Sequence, residues 1–567
     1  MLARRRLERI GAVLGWLSVP ATGAALATLI VGRTLLFWPG RDWLLAFVVA
    51  TLLIAAVWLA VECWRGVTTR ESWWRSGLPL LLLADAWLVL GFAYLDETTN
   101  HLLSADLLPG GLIVEPDLQG YLELKFVVLV VGRLLLWWWD GAGGEQPDSE
   151  EPAGSDALWI VAVVVLAGLY IRMNVLDVLA IETPSDFRVN YVAALALGEG
   201  LNPYDNAVAL AVAGREGIPY VGTETWAVVT NPPTAMSYFY LFTGMGFDAA
   251  RVAFLWVNQA LLLLTGLVLW AIARPARPWR WLAFVLALAV AFEPLAATLR
   301  LGQVDVVVAL LLSAAVLAGW RGMGFVAGAA VGVAAGFKLA PALLVLYFLW
   351  RREWRAVGGL AAGGLAALAV SLLLVGTETW NYYLAERLPD LLAGTGLWDN
   401  LALPGLVSRY ALGTSQAQVY WGTLPAMPLA TSLGYFAAAA VLLLTGPALR
   451  ARRSRALEFG VATAAVLLIA GVAWPHYALW LLPALAWLGA GWSWPRNGRR
   501  RLIAGGLLGA GLALISLPLP AYENLFGGLY AASVTAMSLR NLGLLAVFGA
   551  LALLARSPES DPLESDP

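Results

Sequence analysis

Cysteine and histidine are nearly absent from this 567-residue chain: Cys63 is the one cysteine, and His101 and His476 are the two histidines. A single thiol excludes an internal disulfide framework and a cysteine-based metal site. Two imidazoles give little on which to build a histidine-rich metal centre, so no metal is expected. Charge is scarce as well. Only 13% of the residues are Asp, Glu, Lys or Arg, where soluble domains average about 25%. With a net charge of −2 and arginines confined to short clusters, no basic face for nucleic acid stands out. GxGxxG, Walker, GxSxG and HExxH motifs organise nothing here. What remains is apolar: 60% of the chain is hydrophobic and the mean hydropathy is +0.74. This composition is that of an all-α polytopic membrane protein.

Apolar runs mark roughly sixteen candidate spans, near 12–32, 43–63, 77–95, 121–139, 157–177, 233–247, 251–272, 279–297, 303–320, 324–350, 356–375, 425–447, 456–474, 476–491, 502–518 and 536–555. The run 233–247 is short, and 324–350 is long and interrupted by Lys338 and Pro341. Arginine clusters at Arg4–Arg6, Arg65/Arg70/Arg75, Arg351–Arg355, Arg452–Arg455 and Arg499–Arg501 set the cytoplasmic side. Residues 178–232 and 376–424 then face outward, as does the turn at Trp474-Pro-His476. The cluster Arg274–Arg280 breaks the alternation, which is restored if 233–247 and half of 324–350 dip into the bilayer and return.

The acidic, glycine-rich stretch 140–156 reads as a linker. It separates a four-span N-terminal module (1–139) from a main membrane domain (157–555), and a polar, repetitive tail (556–567), expected to be disordered, follows. Met-Leu-Ala-Arg-Arg-Arg precedes a long apolar run without a small-residue cleavage site, which reads as a retained first helix.

Residues 182–205 follow a span yet carry Asp186, Arg188, Asn190, Glu199, Asn202 and Asp205, too many polar groups for hydrocarbon. Phe187, Tyr191, Ala194 and Leu195 fall at i, i+4, i+7 and i+8, one helical stripe. The expectation is an amphipathic helix capped by Ser185, lying on the membrane surface with Asp186 in its first turn. Such a carboxylate can take a proton from an acceptor hydroxyl if burial raises its pKa; a helix-capping role is the plain alternative. Asn202-Pro-Tyr204 and Asn231-Pro-Pro233 carry turn and helix-start signals.

Gly324, Gly328, Gly332 and Gly336 form a small-residue ridge at i+4, the mark of close helix packing in a bilayer. The same run delivers Lys338-Leu-Ala-Pro341. A lysine so deep in apolar sequence must snorkel, pair or bind an anion, and the adjacent proline, which frees backbone groups, favours the anion. Glu293 and Arg300, seven residues apart on one face, read as an ion pair, with Arg300 and Gln303 as candidate contacts to phosphate or sugar. His476 and Tyr477 read either as interfacial decoration or as groups that hold a sugar.

In their order along the chain these motifs resemble glycosyltransferase family 87, the integral-membrane GT-C enzymes that use polyprenyl-phosphate sugars. The resemblance covers about residues 157–550. It rests on Asp186-Phe-Arg-Val-Asn-Tyr191, Gly200-Leu-Asn-Pro-Tyr204, Asn231-Pro-Pro233, Leu301-Gly-Gln303, the glycine ridge running into Phe337-Lys-Leu-Ala-Pro341, Trp350-Arg-Arg-Glu-Trp354, Asp399-Asn400-Leu401 and Pro475-His-Tyr477. It implies a GT-C-like membrane core in which Asp186 is the acidic catalytic residue of the first outer loop, acting as general base. Arg188, Tyr191, Asn202, Tyr204, Arg300, Gln303, Lys338, Asn400, His476 and Tyr477 would contact substrate. The implied reaction is inverting transfer of mannose, or of a pentofuranose such as arabinose, from a polyprenyl phosphate to a lipid or glycan hydroxyl outside the cell membrane. The lipid-linked sugar is then a co-substrate, and no cofactor is implied. Two features depart from the family pattern: Asp305 stands where asparagine is expected, which weakens a substrate role there, and the first 139 residues have no counterpart. A transporter or flippase of lipid-linked sugars is the competing reading, although the halves of the chain show no convincing match of broken helices.

Overall fold

Prolines and intramembrane charges cut several of the apolar runs into shorter pieces. The computed structural model describes residues 155–182, 184–219, 229–412, 428–450, 454–491, 494, 498–516, 534–535 and 538–556. The chain divides into two units, residues 1–153 and 154–567. The four N-terminal spans, most of the acidic stretch and the tail from 557 lie outside the described residues.

Regular structure among the described residues is helical throughout. Helix α1 (Ser155–Ile171) runs through a π-helical turn into Asp177–Leu179, and is followed by α2 (Ser185–Gly198) and α3 (Asn206–Arg215). Then come α4 (Pro233–Tyr240), α5 (Phe247–Ala273), α6 (Pro278–Ala291), α7 (Glu293–Leu301), α8 (Asp305–Trp320) and α9 (Gly324–Phe337). A 3-10 turn, Ala340–Leu344, leads into α10 (Val345–Arg351) and the long α11 (Trp354–Tyr382). The remainder comprises α12 (Leu388–Ala393), α13 (Leu403–Leu412), α14 (Pro428–Arg450), α15 (Arg455–Ile469), a 3-10 segment Pro475–Leu481, α16 (Leu482–Gly489), α17 (Gly498–Ile515) and α18 (Leu539–Ala555).

Among the described residues, three helices are long and apolar enough to cross a membrane, and a fourth span results if α6 and α7, bent by 58°, count as one. The expected run 324–350 breaks at Lys338, whose extended backbone (φ −142°, ψ 131°) ends α9. Pro341 sits at the start of the next turn, where its missing N–H costs least. The run 476–491 likewise begins as a 3-10 segment at Pro475. The short run 233–247 holds the eight-residue α4, most of it buried.

The glycine ridge packs α9 against α11 backbone to backbone. A Cβ on Gly328 would stand 1.8 Å from the Ala356 carbonyl oxygen, and one on Gly332 2.2 Å from that of Leu360. Gly359 and Gly363 answer from α11, their Cβ positions 2.0 Å and 2.2 Å from the carbonyl oxygens of Phe325 and Ala329. A side chain at any of the four would force the helices apart. At the arginine-rich end, Arg351 pairs with Glu353 (2.8 Å) and with the fully buried Glu458, and Arg455 joins Glu353 at 3.0 Å. This network ties α10 to α15.

The one-stripe surface helix is not found. Most of α2 is buried, with Val192, Ala193, Ala194 and Ala196 at 0% exposure, so burial wraps the helix rather than following a single face. Small side chains let neighbours approach from several directions, and Phe187 packs among Tyr191, Phe239, Phe247 and Phe254. Nor does Ser185 cap it. Pro184 holds the cap position, and the Ser185 hydroxyl donates to Asp186 Oδ1 at 3.1 Å.

Candidate active site

Asp186 lies in the first turn of α2, where a carboxylate suits the positive end of the helix dipole. It is partly exposed, yet enough protein surrounds it that burial raises its pKa above the ordinary carboxylate value. Gln303, Lys338, Ser185 and Arg188 pull the other way. The backbone around it is fixed by a chain of amides. Asn190 donates to the Asp186 carbonyl (2.6 Å), Asn231 donates to Asn190 Oδ1 (3.1 Å), and the Tyr204 hydroxyl donates to the Asn231 carbonyl (2.9 Å).

A single turn brings the opposite wall to this acid. Helix α7 ends on Gly302 with φ +73°, and the Gln303 N–H returns to the Thr298 carbonyl at 2.9 Å. A Cβ on Gly302 would come within 2.4 Å of Phe187 Cβ. Only glycine tolerates both the left-handed backbone and that approach. The next side chain is thereby pressed onto Asp186: Gln303 Nε2 donates to Asp186 Oδ2, while Gln303 Oε1 accepts from Lys338 Nζ at 2.9 Å. The amide orientation follows from its neighbours, since a carboxylate needs a donor and an ammonium an acceptor. One glutamine therefore joins the acid to the cation.

Lys338 does not snorkel. It is 3% exposed, with Asp305 Oδ2 3.7 Å from its ammonium and the Tyr477 ring centroid 4.9 Å away. At that separation the Coulomb attraction is about 4 kcal/mol with an effective dielectric near 20. Desolvation costs several kcal/mol per buried ion, so stability alone does not account for the pair. Asp305, at 0% exposure, also accepts from Trp480 Nε1 at 3.0 Å and lies 3.6 Å from His476 Nε2.

His476 and Tyr477 arrive on the buried 3-10 segment, so neither is interfacial decoration. Tyr477 stacks on Trp480 with ring centroids 4.6 Å apart. Asn400 fixes the approach to this segment. Its Nδ2 donates to the carbonyls of Thr395 (2.8 Å) and Gly471 (3.1 Å), and its Oδ1 accepts from the N–H groups of Ala402 and Ala473, both at 3.0 Å.

The structure thus gathers Asp186, Gln303, Lys338, His476 and Tyr477 of the expected site residues. Arg188 is close enough to act on the charge of Asp186, though its guanidinium bonds the Pro219 carbonyl at 2.7 Å. The others have structural partners. Tyr191 donates to the Met245 carbonyl from within an aromatic cluster, and Asn202 Oδ1 accepts from the Tyr204 N–H at 3.0 Å. Tyr204 is buried against Tyr382 and Tyr383, and Asn400 is the clamp just described. Arg300 pairs with Glu293, as the spacing predicts, and its side chain remains 44% exposed. Among the described residues it is Asp305, not Arg300, that stands beside Lys338. Sequence reasoning discounts Asp305 and passes over Trp480. A carboxylate opening an otherwise uncharged 16-residue apolar helix was the signal for the first.

Residues 230–475 match glycosyltransferase family 87. The family-87 segment contains Gln303, Asp305 and Lys338 and stops one residue short of His476, while Asp186 precedes it. Similar curated proteins carry related names. A polyprenol-phosphate-mannose-dependent α-(1-2)-phosphatidylinositol pentamannoside mannosyltransferase of Mycolicibacterium smegmatis is 32% identical over 270 residues, 46% of this chain and 60% of that protein. A polyprenol-phosphate-mannose-dependent α-(1-2)-phosphatidylinositol mannoside mannosyltransferase of Mycobacterium tuberculosis is 30% identical over 311 residues, 51% of this chain and 65% of that protein. The chain thus spans less than two thirds of the length of either relative. No solved structure matches it.

Proposed function

We propose that the protein is a membrane glycosyltransferase that moves a sugar from a polyprenyl phosphate to a hydroxyl of a lipid or glycan acceptor. One observation carries this reading: a helix-borne acid and a buried lysine share the two ends of Gln303. An acceptor hydroxyl at Asp186 gives up its proton to the carboxylate while its oxygen attacks the anomeric carbon. The bond between that carbon and the phosphate oxygen breaks with inversion, and the polyprenyl phosphate leaves with one more negative charge than the bound donor carried. Lys338 receives that charge by a charge-assisted hydrogen bond.

The names of the relatives favour mannose over a pentofuranose as the sugar and a phosphatidylinositol mannoside as the acceptor class. The arginine distribution supports a multi-pass protein of the cell membrane whose site opens on the outer face. The test is transfer by the purified chain from labelled polyprenyl-phosphate-mannose to a phosphatidylinositol mannoside. The product linkage then reports inversion or retention. Absence of transfer from any polyprenyl-phosphate sugar, with a well-folded protein, overturns the reading.

A further inference from the structure

Lys338 and His476 converge on the same oxygen of a carboxylate that the proposed reaction does not use. Asp305 Oδ2 lies 3.7 Å from Lys338 Nζ and 3.6 Å from His476 Nε2. Both Oδ2 and Nε2 are buried and make no hydrogen bond among the described residues. The other oxygen of Asp305 is already held by Trp480 at 3.0 Å, so the carboxylate is anchored on one side and loose on the other. The ammonium, in contrast, has a short bond to Gln303. A buried acceptor left unmet while two groups stand just beyond bonding distance is a costly resting arrangement. It becomes a good one if one group closes in as the other withdraws.

We propose that Asp305 is a positioning residue that exchanges partners: it holds Lys338 while the donor site is empty and closes onto His476, protonated at Nε2, when the lysine turns to the donor phosphate. This inference rests on the glycosyltransferase reading. Asp305 and His476 then act through the lysine, which alone meets the phosphate. The exchange gives the carboxylate oxygen a partner in both states, so moving Lys338 leaves no buried acceptor unmet. Gln303 stays on Asp186 throughout and separates the two carboxylates.

The full chain in nanodiscs tests the exchange by donor KM and kcat in a double-mutant cycle of Asp305→Asn and His476→Phe. On the wild-type background His476→Phe is expected to raise donor KM at least about tenfold while changing kcat less than about threefold. His476→Gln, which keeps an N–H donor, is expected to restore KM to within about threefold. On the Asp305→Asn background the same His476→Phe change is expected to cost less than about twofold. Equal effects of His476→Phe on both backgrounds would overturn the exchange. If Asp305→Asn does not fold, the two histidines of the chain allow a direct readout. In 15N-histidine spectra, the signal lost in His476→Gln is expected to move on saturation with a short polyprenyl phosphate, and to stay still in Lys338→Met. A His476 signal unmoved in the wild type overturns the exchange. Failure of the glycosyltransferase reading looks different: no transfer from any polyprenyl-phosphate sugar, and polyprenyl phosphate binding unaltered by Lys338→Met.

Discussion

Replacing Asp186 by asparagine separates chemistry from folding at the acid. The substitution is isosteric. The new amide oxygen can still accept from Gln303 Nε2, and the Ser185 hydroxyl, which donates to Asp186 in the native chain, can accept from the new amide nitrogen. Two small electrostatic changes oppose one another: loss of a carboxylate at the start of α2 costs about 0.3–1 kcal/mol, while relief from burying a charge is favourable. Net stability should move by less than about 1 kcal/mol. Loss of a general base costs about 10²–10⁴ in rate, or about 3–5 kcal/mol of transition-state stabilisation.

The pH behaviour follows from the raised pKa of Asp186. The base works only when ionised, so wild-type kcat/KM should fall as pH drops through a value above the ordinary carboxylate range, and the Asp186→Asn variant should lack that limb. Lys338 lowers the Asp186 pKa, so Lys338→Met should carry the limb to higher pH. Stability runs the opposite way. The folded state binds this proton more tightly than the unfolded chain, so its contribution is complete at low pH and is lost as pH rises through the folded pKa. The assay is sugar transfer by purified protein across pH, with thermal unfolding measured in parallel. An Asp186→Asn variant that melts with the wild type and keeps more than about a tenth of its turnover refutes the assignment.

Lys338→Met should raise donor KM at least about tenfold and lower the melting temperature, because breaking a buried pair costs about 3–5 kcal/mol; Lys338→Met with Asp305→Asn should recover much of that stability, as calorimetry or a thermal-shift assay will show. Arg300→Ala removes a partly exposed ion pair with Glu293, so stability should change by less than about 1 kcal/mol and donor KM by less than about threefold; a large KM effect would place Arg300 at the phosphate. Gly302→Ala must adopt φ +73° and place a Cβ 2.4 Å from that of Phe187. Strain and overpacking together should cost about 2–5 kcal/mol and reduce turnover by moving Gln303 off Asp186, both measurable on one preparation.

Much of the candidate site was legible along the chain because its residues break local rules. A lysine inside an apolar run, an acid in the first turn after a span, and histidine next to tyrosine behind a proline each stand out where hydrocarbon is the solvent. The glycine ridge at i+4 was readable for the same reason: periodic small residues in a bilayer have few uses besides close packing. Asn202, Tyr204 and Asn400 show where such reading ends. The turn at Asn202-Pro-Tyr204 was genuine, but whether a polar side chain such as these meets substrate or backbone depends on what the rest of the fold sets opposite it.

The sequence by itself determined a helical membrane protein, the break at Lys338 and the Glu293–Arg300 pair, because hydropathy, proline and helical spacing act over a few residues. Only the tertiary structure decided that α2 is sunk among helices, that Asp305 rather than Arg300 faces Lys338, and that Gln303 bridges to Asp186. The two bonds of that glutamine join residues 35 and 117 positions apart. Which of several polar side chains closes such a distance is set by the packing of whole helices, and no local pattern encodes it.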